Sequence, residues 1–236
     1  MRIWAISDLH LSLEVQKPMD VFGGEWDGYV EKIAENWQKL IKEEDIVLIA
    51  GDISWAMKLE ETKKDFEFIE KLNGTKIIIK GNHEYWWNSV SALRKVLPKN
   101  VYALQNDSIK IGKVVFAGTR GWTIPEGVND PTFTKDDQKI YDRETIRLKL
   151  ALDHAQKQRK EGDKLFCMIH FPPFNSKRED SEFTKLFEQY QVDKVVYGHL
   201  HKNPGRVDLK FNKNGVEYHL TSADIIKMVP VLLYED

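Results

Sequence analysis

The chain has 236 residues, 42% hydrophobic and 31% charged, a balance that is ordinary for a globular protein with one large core. Its formal net charge of −2 excludes a global basic field that would attract nucleic acid, although a local basic groove is compatible with it. The single cysteine, Cys167, excludes an intramolecular disulfide and a thiolate zinc site.

Targeting and membrane signals are absent from the sequence. It runs from Met1 directly into a polar motif, with no long apolar stretch or cleavage site. No apolar run elsewhere approaches the roughly 20 residues needed to cross a bilayer. Together with the lone cysteine, these features predict a soluble, cytoplasmic protein that does not act at a membrane.

Short apolar runs alternate with helical patterns in the first half of the chain, which is typical of an α/β layered fold. Helical spacing of apolar residues predicts helices over 30–41 and 59–72. Asn88 or Ser89 is positioned to cap a third helix, which Pro98 ends. The strands predicted between these helices cover 3–6, 46–50 and 76–79.

The second half is predicted to contain more strands. The apolar period becomes β-like over 101–117, with Gly112 as a hairpin turn. A long polar loop from about 119 to 139 then leads to a charged helix from about 141 to 160, interpreted as a solvent-exposed face. Further strands are predicted at 165–169, 194–197, 206–211, 216–221 and 227–233, with a short helix after the first of them. No repeat or linker is visible, so we predict one domain, residues 1–236.

Polar residues are concentrated where the apolar segments end. In open α/β sheets, ligands bind at the carboxyl ends of the strands, where side chains from several loops converge. Five of the seven histidines lie at such positions. The clusters are Asp8 with His10, Gly51-Asp52, Gly81-Asn82-His83-Glu84, His170, and Gly198-His199-Leu200-His201.

The residue types in these clusters suit a metal site. Imidazole, carboxylate and amide without thiolate favour Mn, Fe, Zn or Ni. The spacing in Asp8-x-His10 and in His199-x-His201 places both side chains on one face of an extended segment, so each pair can chelate one centre. Taken singly, each motif has a plainer interpretation as a turn, a helix cap or a hydrogen-bonded core histidine. Their combined order and strand context predict a metal site.

The ordered set from Asp8 to His201 resembles the calcineurin-like metallophosphoesterase superfamily. The segments Lys17-Pro18-Met19-Asp20-Val21-Phe22-Gly23 and Gly51-Asp52-Ile53-Ser54-Trp55-Ala56-Met57 look like a bacterial group of predicted phosphohydrolases. The resemblance implies an α/β (α+β) four-layer αββα sandwich of the metallo-dependent phosphatase type. In that fold two β-sheets pack together and helices cover them, which agrees with the predicted order of elements.

The resemblance also implies two divalent or mixed-valence metal ions, drawn from Mn, Fe, Zn and Ni, and a metal-bridging hydroxide that attacks phosphorus in line. His83, beside Asn82, is similar to the catalytic histidine of the family, which protonates the leaving oxygen or stabilises its charge. The implied ligands are Asp8, His10 and His201 for one ion, Asp52 as the bridge, and Asn82, His170 and His199 for the second ion.

The sequence departs from the protein-phosphatase branches of the family in one place. In those branches Gly-Asp is followed by an Asp-Arg pair that supports the histidine and contacts phosphate. Here Gly51-Asp52 is followed by Ile53-Ser54, which leaves the partner of His83 unidentified and weighs against a phosphoprotein substrate. The serine-led motif that begins at Ser7 is more similar to the phosphodiesterase and nucleotide-hydrolase branches.

We therefore predict a metal-dependent phosphoesterase whose substrate is a phosphorylated small molecule, with a phosphodiester or nucleotide-type ester favoured. Two alternatives stay open: a phosphomonoesterase acting on a small metabolite, and a non-catalytic protein-binding scaffold on the same fold. Nucleic acid is a possible partner that nothing in the sequence indicates. The sequence does not determine the oligomeric state.

Arg120 and Trp122 are candidate substrate-binding residues outside the metal motifs. They follow a predicted strand, so Arg120 could bind a substrate phosphate and Trp122 could stack on a base or pack against the site. The plainer interpretation pairs Arg120 with a surface carboxylate and places Trp122 in the core. Four other tryptophans flank the motifs and are interpreted mostly as packing residues: Trp26, Trp55, Trp86 and Trp87.

Overall fold

The computed structural model describes residues 1–17, 19–201 and 208–236. Its α-helices are α1 (Tyr29–Leu40), α2 (Lys63–Lys71), α3 (Val90–Val96), α4 (Lys135–Gln158) and α5 (Glu182–Gln189). Its strands are β1 (Arg2–Ile6), β2 (Ile46–Ile49), β3 (Thr75–Ile79), β4 (Val101–Leu104), β5 (Asp107–Ile111), β6 (Val114–Thr119), β7 (Lys164–Ile169), β8 (Lys194–Tyr197), β9 (Lys210–Lys213), β10 (Val216–Leu220) and β11 (Val231–Glu235). Short 3-10 helices cover Asp20–Phe22, Gly24–Trp26 and Leu59–Thr62.

The strands form two mixed sheets. One has the order β11-β1-β2-β3-β4 and the other the order β5-β6-β7-β8-β10-β9. Strands β1 to β4 are parallel to one another, and so are β6, β7, β8 and β10. The predicted hairpin between β5 and β6 is confirmed, and its turn residue Gly112 has φ 60°, a left-handed conformation that glycine adopts without steric cost.

The two sheets pack face to face and helices cover their outer faces. Ile3 and Leu48 of the first sheet meet Phe116 and Phe166 of the second in a buried core between the sheets. A second core lies between the first sheet and α1, α2 and α3. A third core lies between the second sheet and α4 and α5. This αββα order of layers confirms the fold class that the resemblance implied.

The all-apolar sequence of β2 follows from its place between two cores. Successive side chains of a strand point to opposite faces of the sheet. Ile46 and Leu48 therefore enter the core between the sheets, whereas Val47 and Ile49 enter the core under the helices. A strand that is covered on both faces has no position for a polar side chain before its end.

Several elements differ in extent from the prediction. The strand predicted at 227–233 begins only at Val231, because Lys227 and Met228 have left-handed φ values that a strand does not allow. Helix α4 begins at Lys135 instead of about 141, because Thr134 and Asp137 form a capping box in which each backbone N–H meets the other side chain. The preceding loop is correspondingly shorter. The strand predicted at 206–211 appears as β9, and residues 206 and 207 lie outside the described residues. No helix within the described ranges has the length and apolarity to cross a membrane.

Candidate metal centre

The loops that follow β1, β2, β3, β7 and β8 carry all seven predicted metal ligands, and the structure brings these side chains together. We call these seven predicted ligands the ligand ring, because the contacts among them form a closed ring. His10 Nε2 lies 3.2 Å from His201 Nε2, which lies 3.5 Å from Asp8 Oδ1. The Asp8 carboxylate accepts a hydrogen bond from the His199 backbone N–H. The ring then passes through Asn82, His170 and Asp52 and returns to His10.

The ligand atoms form two neighbouring sets. In the first set, the atoms of Asp8, His10 and His201 lie within 4.8 Å of one another. In the second set, Asn82 Oδ1 lies 2.7 Å from His170 Nε2 and 2.8 Å from His199 Nδ1.

Asp52 faces both sets of ligand atoms. Its Oδ2 atom is 3.9 Å from His10 Nε2, in the first set, and 3.4 Å from His170 Nε2, in the second. A carboxylate in this position is suited to contact a cation in either set. The two sets are therefore close enough to share one ligand.

The chemistry of the donor set fits divalent cations. Asp8, Asp52 and His170 are almost inaccessible to solvent, and buried charges of this kind need partners. Burial alone would raise the pKa of Asp52, but His170 beside it holds that pKa below its usual range. Burial lowers the pKa of His10 to about 4, which keeps its imidazole neutral and able to coordinate. Burial disfavours the charged form of His170 too, but the charge of Asp52 raises its pKa to about 9, so a bound cation would displace a proton from it. Imidazole with carboxylate and amide oxygen matches borderline divalent metals.

Four of the ligands have strained backbones. Asp8, His10, Asp52 and His199 have φ values of 57°, 46°, 51° and 70°, in the left-handed region that non-glycine residues rarely occupy. Such conformations cost free energy and persist where surrounding structure enforces them, most often at functional sites. Four of the ten described non-glycine residues with positive φ are thus predicted ligands.

Two glycines allow the ligand loops to approach one another. A Cβ atom on Gly81 would lie 2.2 Å from Asp52 Oδ1, and one on Gly198 would lie 2.3 Å from Asp8 Oδ2. Both distances are far shorter than a van der Waals contact. Only glycine at these positions lets the loops after β3 and β8 reach the two carboxylates.

Hydrogen bonds fix the orientation of two ligand imidazoles. His201 Nδ1 lies 2.9 Å from Asp224 Oδ1, and His170 Nδ1 lies 2.9 Å from the carbonyl oxygen of Ala50. Partners of this kind hold the tautomer and the ring plane of a metal-binding histidine, leaving the other nitrogen for the metal. Asp224 was not predicted as a site residue, because no motif marks it.

Glu84 ties together the loops after β2 and β3. Its carboxylate is fully buried and accepts hydrogen bonds from the backbone N–H groups of Asp52, Ile53 and Gly81, at 2.9, 2.5 and 2.5 Å. Burial and the nearby charge of Asp52 raise the pKa of Glu84 to about 8, although the donated hydrogen bonds act in the opposite direction. Glu84 was noted in the sequence as part of a polar cluster, but no role was predicted for it. In the structure it connects the loops that carry Asp52 and Asn82.

His83 lies at the edge of the ligand ring. Its backbone N–H donates to Asp52 Oδ1 at 2.9 Å, and its Nε2 lies 3.9 Å from Asp52 Oδ2. Its ring centre is 4.4 Å from that of Trp55, and its side chain is 31% exposed. Nδ1 has no hydrogen-bond partner among the described residues. Among the described residues, the His83 ring therefore contacts the Asp52 carboxylate and the Trp55 ring without a hydrogen bond to either.

Arg120 and Trp122 lie one layer of side chains away from the ligands. The backbone carbonyl of Arg120 accepts a hydrogen bond from the N–H of His170, but its guanidinium lies 3.6 Å from Glu144 and 4.7 Å from the Trp122 ring centre. The Trp122 indole donates to Asp137 and packs against Phe171, whose ring lies 4.2 Å from that of His199.

The four tryptophans near the motifs have two different environments. Trp86 and Trp87 are buried in the core under the first sheet. Trp26 belongs to the same core and Trp55 packs against it, but both also line a cavity of about 510 Å³ that opens beside the ligand ring. The other lining residues are His10, Met19, Phe22, His83 and His201.

These features define a class of protein. An αββα sandwich that gathers carboxylate, amide and imidazole ligands at the carboxyl ends of strands from both sheets is the architecture of a metal-dependent hydrolase. The chain belongs to the calcineurin-like phosphoesterase family, which matches residues 1–203. It is accordingly a metallophosphoesterase, a hydrolase that acts on phosphoester bonds with the help of divalent metal ions.

Solved structures show the same fold at low sequence identity. Phosphopantetheinyl hydrolase from Mycobacterium tuberculosis aligns over 100% of this chain and 96% of its own, with 15% identity and a TM-score of 0.59. A protein from Thermus thermophilus aligns over 93% and 88%, with 10% identity and a TM-score of 0.55. A protein of unknown function from Aquifex aeolicus aligns over 98% and 95%, with 15% identity and a TM-score of 0.50. No curated protein has a significantly similar sequence.

Proposed function

We propose that this metallophosphoesterase hydrolyses a phosphodiester or nucleotide-type ester of a small molecule at a centre of two divalent metal ions. The observation that carries the proposal is the position of Asp52, whose Oδ2 atom faces His10 of one ligand set and His170 of the other. A shared carboxylate lowers the repulsion between two cations held roughly 3.5–4 Å apart.

Each ion would have its own ligands in addition to Asp52. Asp8, His10 and His201 would hold one ion, and Asn82, His170 and His199 would hold the other. Mn, Fe, Zn and Ni all suit these ligands. When bound, such ions activate solvent as the nucleophile and neutralise the charge that develops on phosphoryl oxygens.

His83 is proposed to protonate the leaving oxygen or to stabilise its charge. Its side chain is partly exposed, lies within 3.9 Å of Asp52 and lines the cavity beside the ligands. Burial lowers the pKa of His83, and the charge of Asp52 acts in the opposite direction. A histidine that is held at the edge of the ligand ring but points into open space is placed to contact a substrate atom.

The first test is hydrolysis of a chromogenic diester. With Mn²⁺, purified protein is expected to cleave bis-p-nitrophenyl phosphate, and removal of metal with a chelator should lower the rate by at least about a hundredfold, because the ions supply several kcal/mol of transition-state stabilisation. Adding Mn²⁺ back should restore the rate, which separates metal loss from denaturation. Hydrolysis that persists after chelation would refute the metal-dependent mechanism. A faster rate on p-nitrophenyl phosphate would favour the phosphomonoesterase alternative.

We propose that Arg120 and Trp122 contribute to substrate binding beside the metal centre. The Arg120 guanidinium donates no hydrogen bond to the described residues, and it lines a cavity of about 270 Å³ with Lys80, Arg143 and Arg147, where Glu144 is the carboxylate present. Four cations around one carboxylate leave excess positive charge for an anionic group. Trp122, packed between Arg120 and Phe171, would fix the position of the guanidinium.

Arg120→Ala is expected to raise KM on the best phosphoester by about tenfold or more, since a charge-assisted hydrogen bond contributes about 1.5–3 kcal/mol. Arg94→Ala is the matched control, because it removes the same charge from a half-exposed side chain that pairs with Asp107 and does not line the Arg120 cavity. Steady-state kinetics on both variants provide the measurement. Unchanged KM and kcat in Arg120→Ala would remove Arg120 from the substrate site.

A further inference from the structure

The cavity beside the ligand ring differs in chemistry from the ring itself. Its walls are Met19, Phe22, Trp26 and Trp55, and it reaches the ligands His10 and His201 and the proposed acid His83. Its volume of about 510 Å³ is within the range of small-molecule sites. Because this apolar cavity adjoins the proposed phosphoester-cleaving centre, the organic group esterified to the phosphate can enter it.

Among the described residues, the cavity walls offer few groups besides the three histidines that could bind a polar ligand. The Trp55 indole N–H is already donated to the sulfur of Met19 at 2.9 Å. The Lys17 ammonium lies 3.7 Å from the Trp55 ring centre, a cation–π contact that places positive charge beside the aromatic wall. A sugar would lose its hydration against Met19, Phe22 and the faces of the tryptophan rings, which form no conventional hydrogen bonds with it.

Phe22 is the part of the wall that remains open. Its side chain is 42% exposed, although its neighbour Trp26 is buried. Both residues belong to the short 3-10 helices Asp20–Phe22 and Gly24–Trp26, which carry the cavity wall between β1 and α1. An aromatic ring exposed beside a reactive centre can bury apolar surface when a ligand enters.

We propose that this cavity binds an aryl or other apolar alcohol group of the substrate, so that the enzyme prefers phosphoesters whose organic part is apolar over those of sugars or short polar alcohols. This inference rests on the proposed function, because it assigns a substrate class to the same centre. The aromatic walls set the preference, and the metal ligands hold the phosphoryl group that all substrates share.

Binding of non-hydrolysable phosphonates tests the proposal without turnover. Isothermal titration calorimetry with the Mn²⁺-loaded protein should show that benzylphosphonate binds at least about tenfold more tightly than methylphosphonate, since burying a phenyl group removes apolar surface from water. A polyhydroxylated alkylphosphonate of similar size should bind no more tightly than methylphosphonate. Equal affinities for the benzyl and methyl compounds, or no binding of benzylphosphonate, would overturn the proposal.

Substitutions of Phe22 test whether this side chain causes the preference for an apolar group. Phe22→Ala and Phe22→Ser should each reduce the benzyl-to-methyl affinity ratio by at least about threefold, because they remove one apolar wall. Val21→Ala is the matched control, since Val21 is 70% exposed, adjacent in sequence and not part of the cavity wall. A ratio that both Phe22 variants leave unchanged would place the aryl group elsewhere.

The outcomes for the two proposals are separable. A clear benzyl preference in a protein that cleaves no phosphoester would contradict the proposed function and leave the apolar site standing. Metal-dependent hydrolysis without any benzyl preference would contradict the apolar site alone.

Discussion

Asp52→Asn is expected to lower kcat/KM on a phosphodiester by at least about a thousandfold. The carboxylate faces both ligand sets, so its loss should weaken both metal sites and remove several kcal/mol of transition-state stabilisation. Asparagine is the least disruptive replacement. It tolerates the left-handed φ of 51° at this position, and its amide oxygen can still accept the hydrogen bond from the His83 backbone N–H.

Metal analysis gives this prediction a second readout. After reconstitution with Mn²⁺, the unaltered protein should hold about two ions per chain and Asp52→Asn about one or fewer, as expected for a two-metal site with a shared ligand. Asp20→Asn is a suitable control, because it removes the same charge from an exposed residue outside the ligand ring. Circular dichroism would verify that both variants fold. An Asp52→Asn protein that keeps both ions and full activity would rule out the shared-ligand role.

The residues of the ligand ring could be predicted from the sequence because all of them follow directly after buried strands. Each buried strand is apolar until it leaves the sheet, so Asp8, Asp52 and His170 stand out in the sequence as the first acidic or histidine residues after a run. Parallel strands then bring these ends to one edge of each sheet. Residues more than 100 positions apart could thus be predicted to lie together from two local patterns, the apolar runs and the polar residues that end them.

The supporting contacts could not be predicted, because they depend on how separate loops pack. Glu84 was visible in its motif, but its acceptance of three N–H groups requires the loops after β2 and β3 to lie side by side. Asp224 follows β10 and reaches His201 only through the pairing of β10 with β8. Trp26 and Trp55 were interpreted as packing residues, and nothing in the sequence shows that a cavity separates them.

The earlier start of α4 is a difference that the local sequence does indicate. Thr134 and Asp137 are spaced as a capping box, a pattern that places the start of α4 at Lys135. The surrounding polar composition resembles a loop and hides that signal. Helix boundaries in polar segments depend on such single side chains, whereas boundaries in apolar segments are marked by the whole pattern.

His83→Ala is expected to lower kcat by roughly 10²–10⁴-fold on esters of alkyl alcohols, the range typical of general acid catalysis. His83 is outside the ligand ring, so the variant should keep the metal content of the unaltered protein. His154→Ala provides a matched loss of imidazole at an exposed position on α4. Any large effect of that control would point to a general loss of stability.

The dependence on leaving group decides what His83 does. An alkoxide needs a proton as it departs, whereas p-nitrophenolate leaves readily without one, so the rate loss in His83→Ala should be much smaller for p-nitrophenyl esters than for alkyl esters. A histidine that only positioned Asp52, through the backbone hydrogen bond and the 3.9 Å contact, would slow both kinds of ester equally. Comparing kcat across a series of leaving groups therefore separates proton donation from positioning. Equal losses for all esters, or a fall in bound metal, would contradict the proposed acid role.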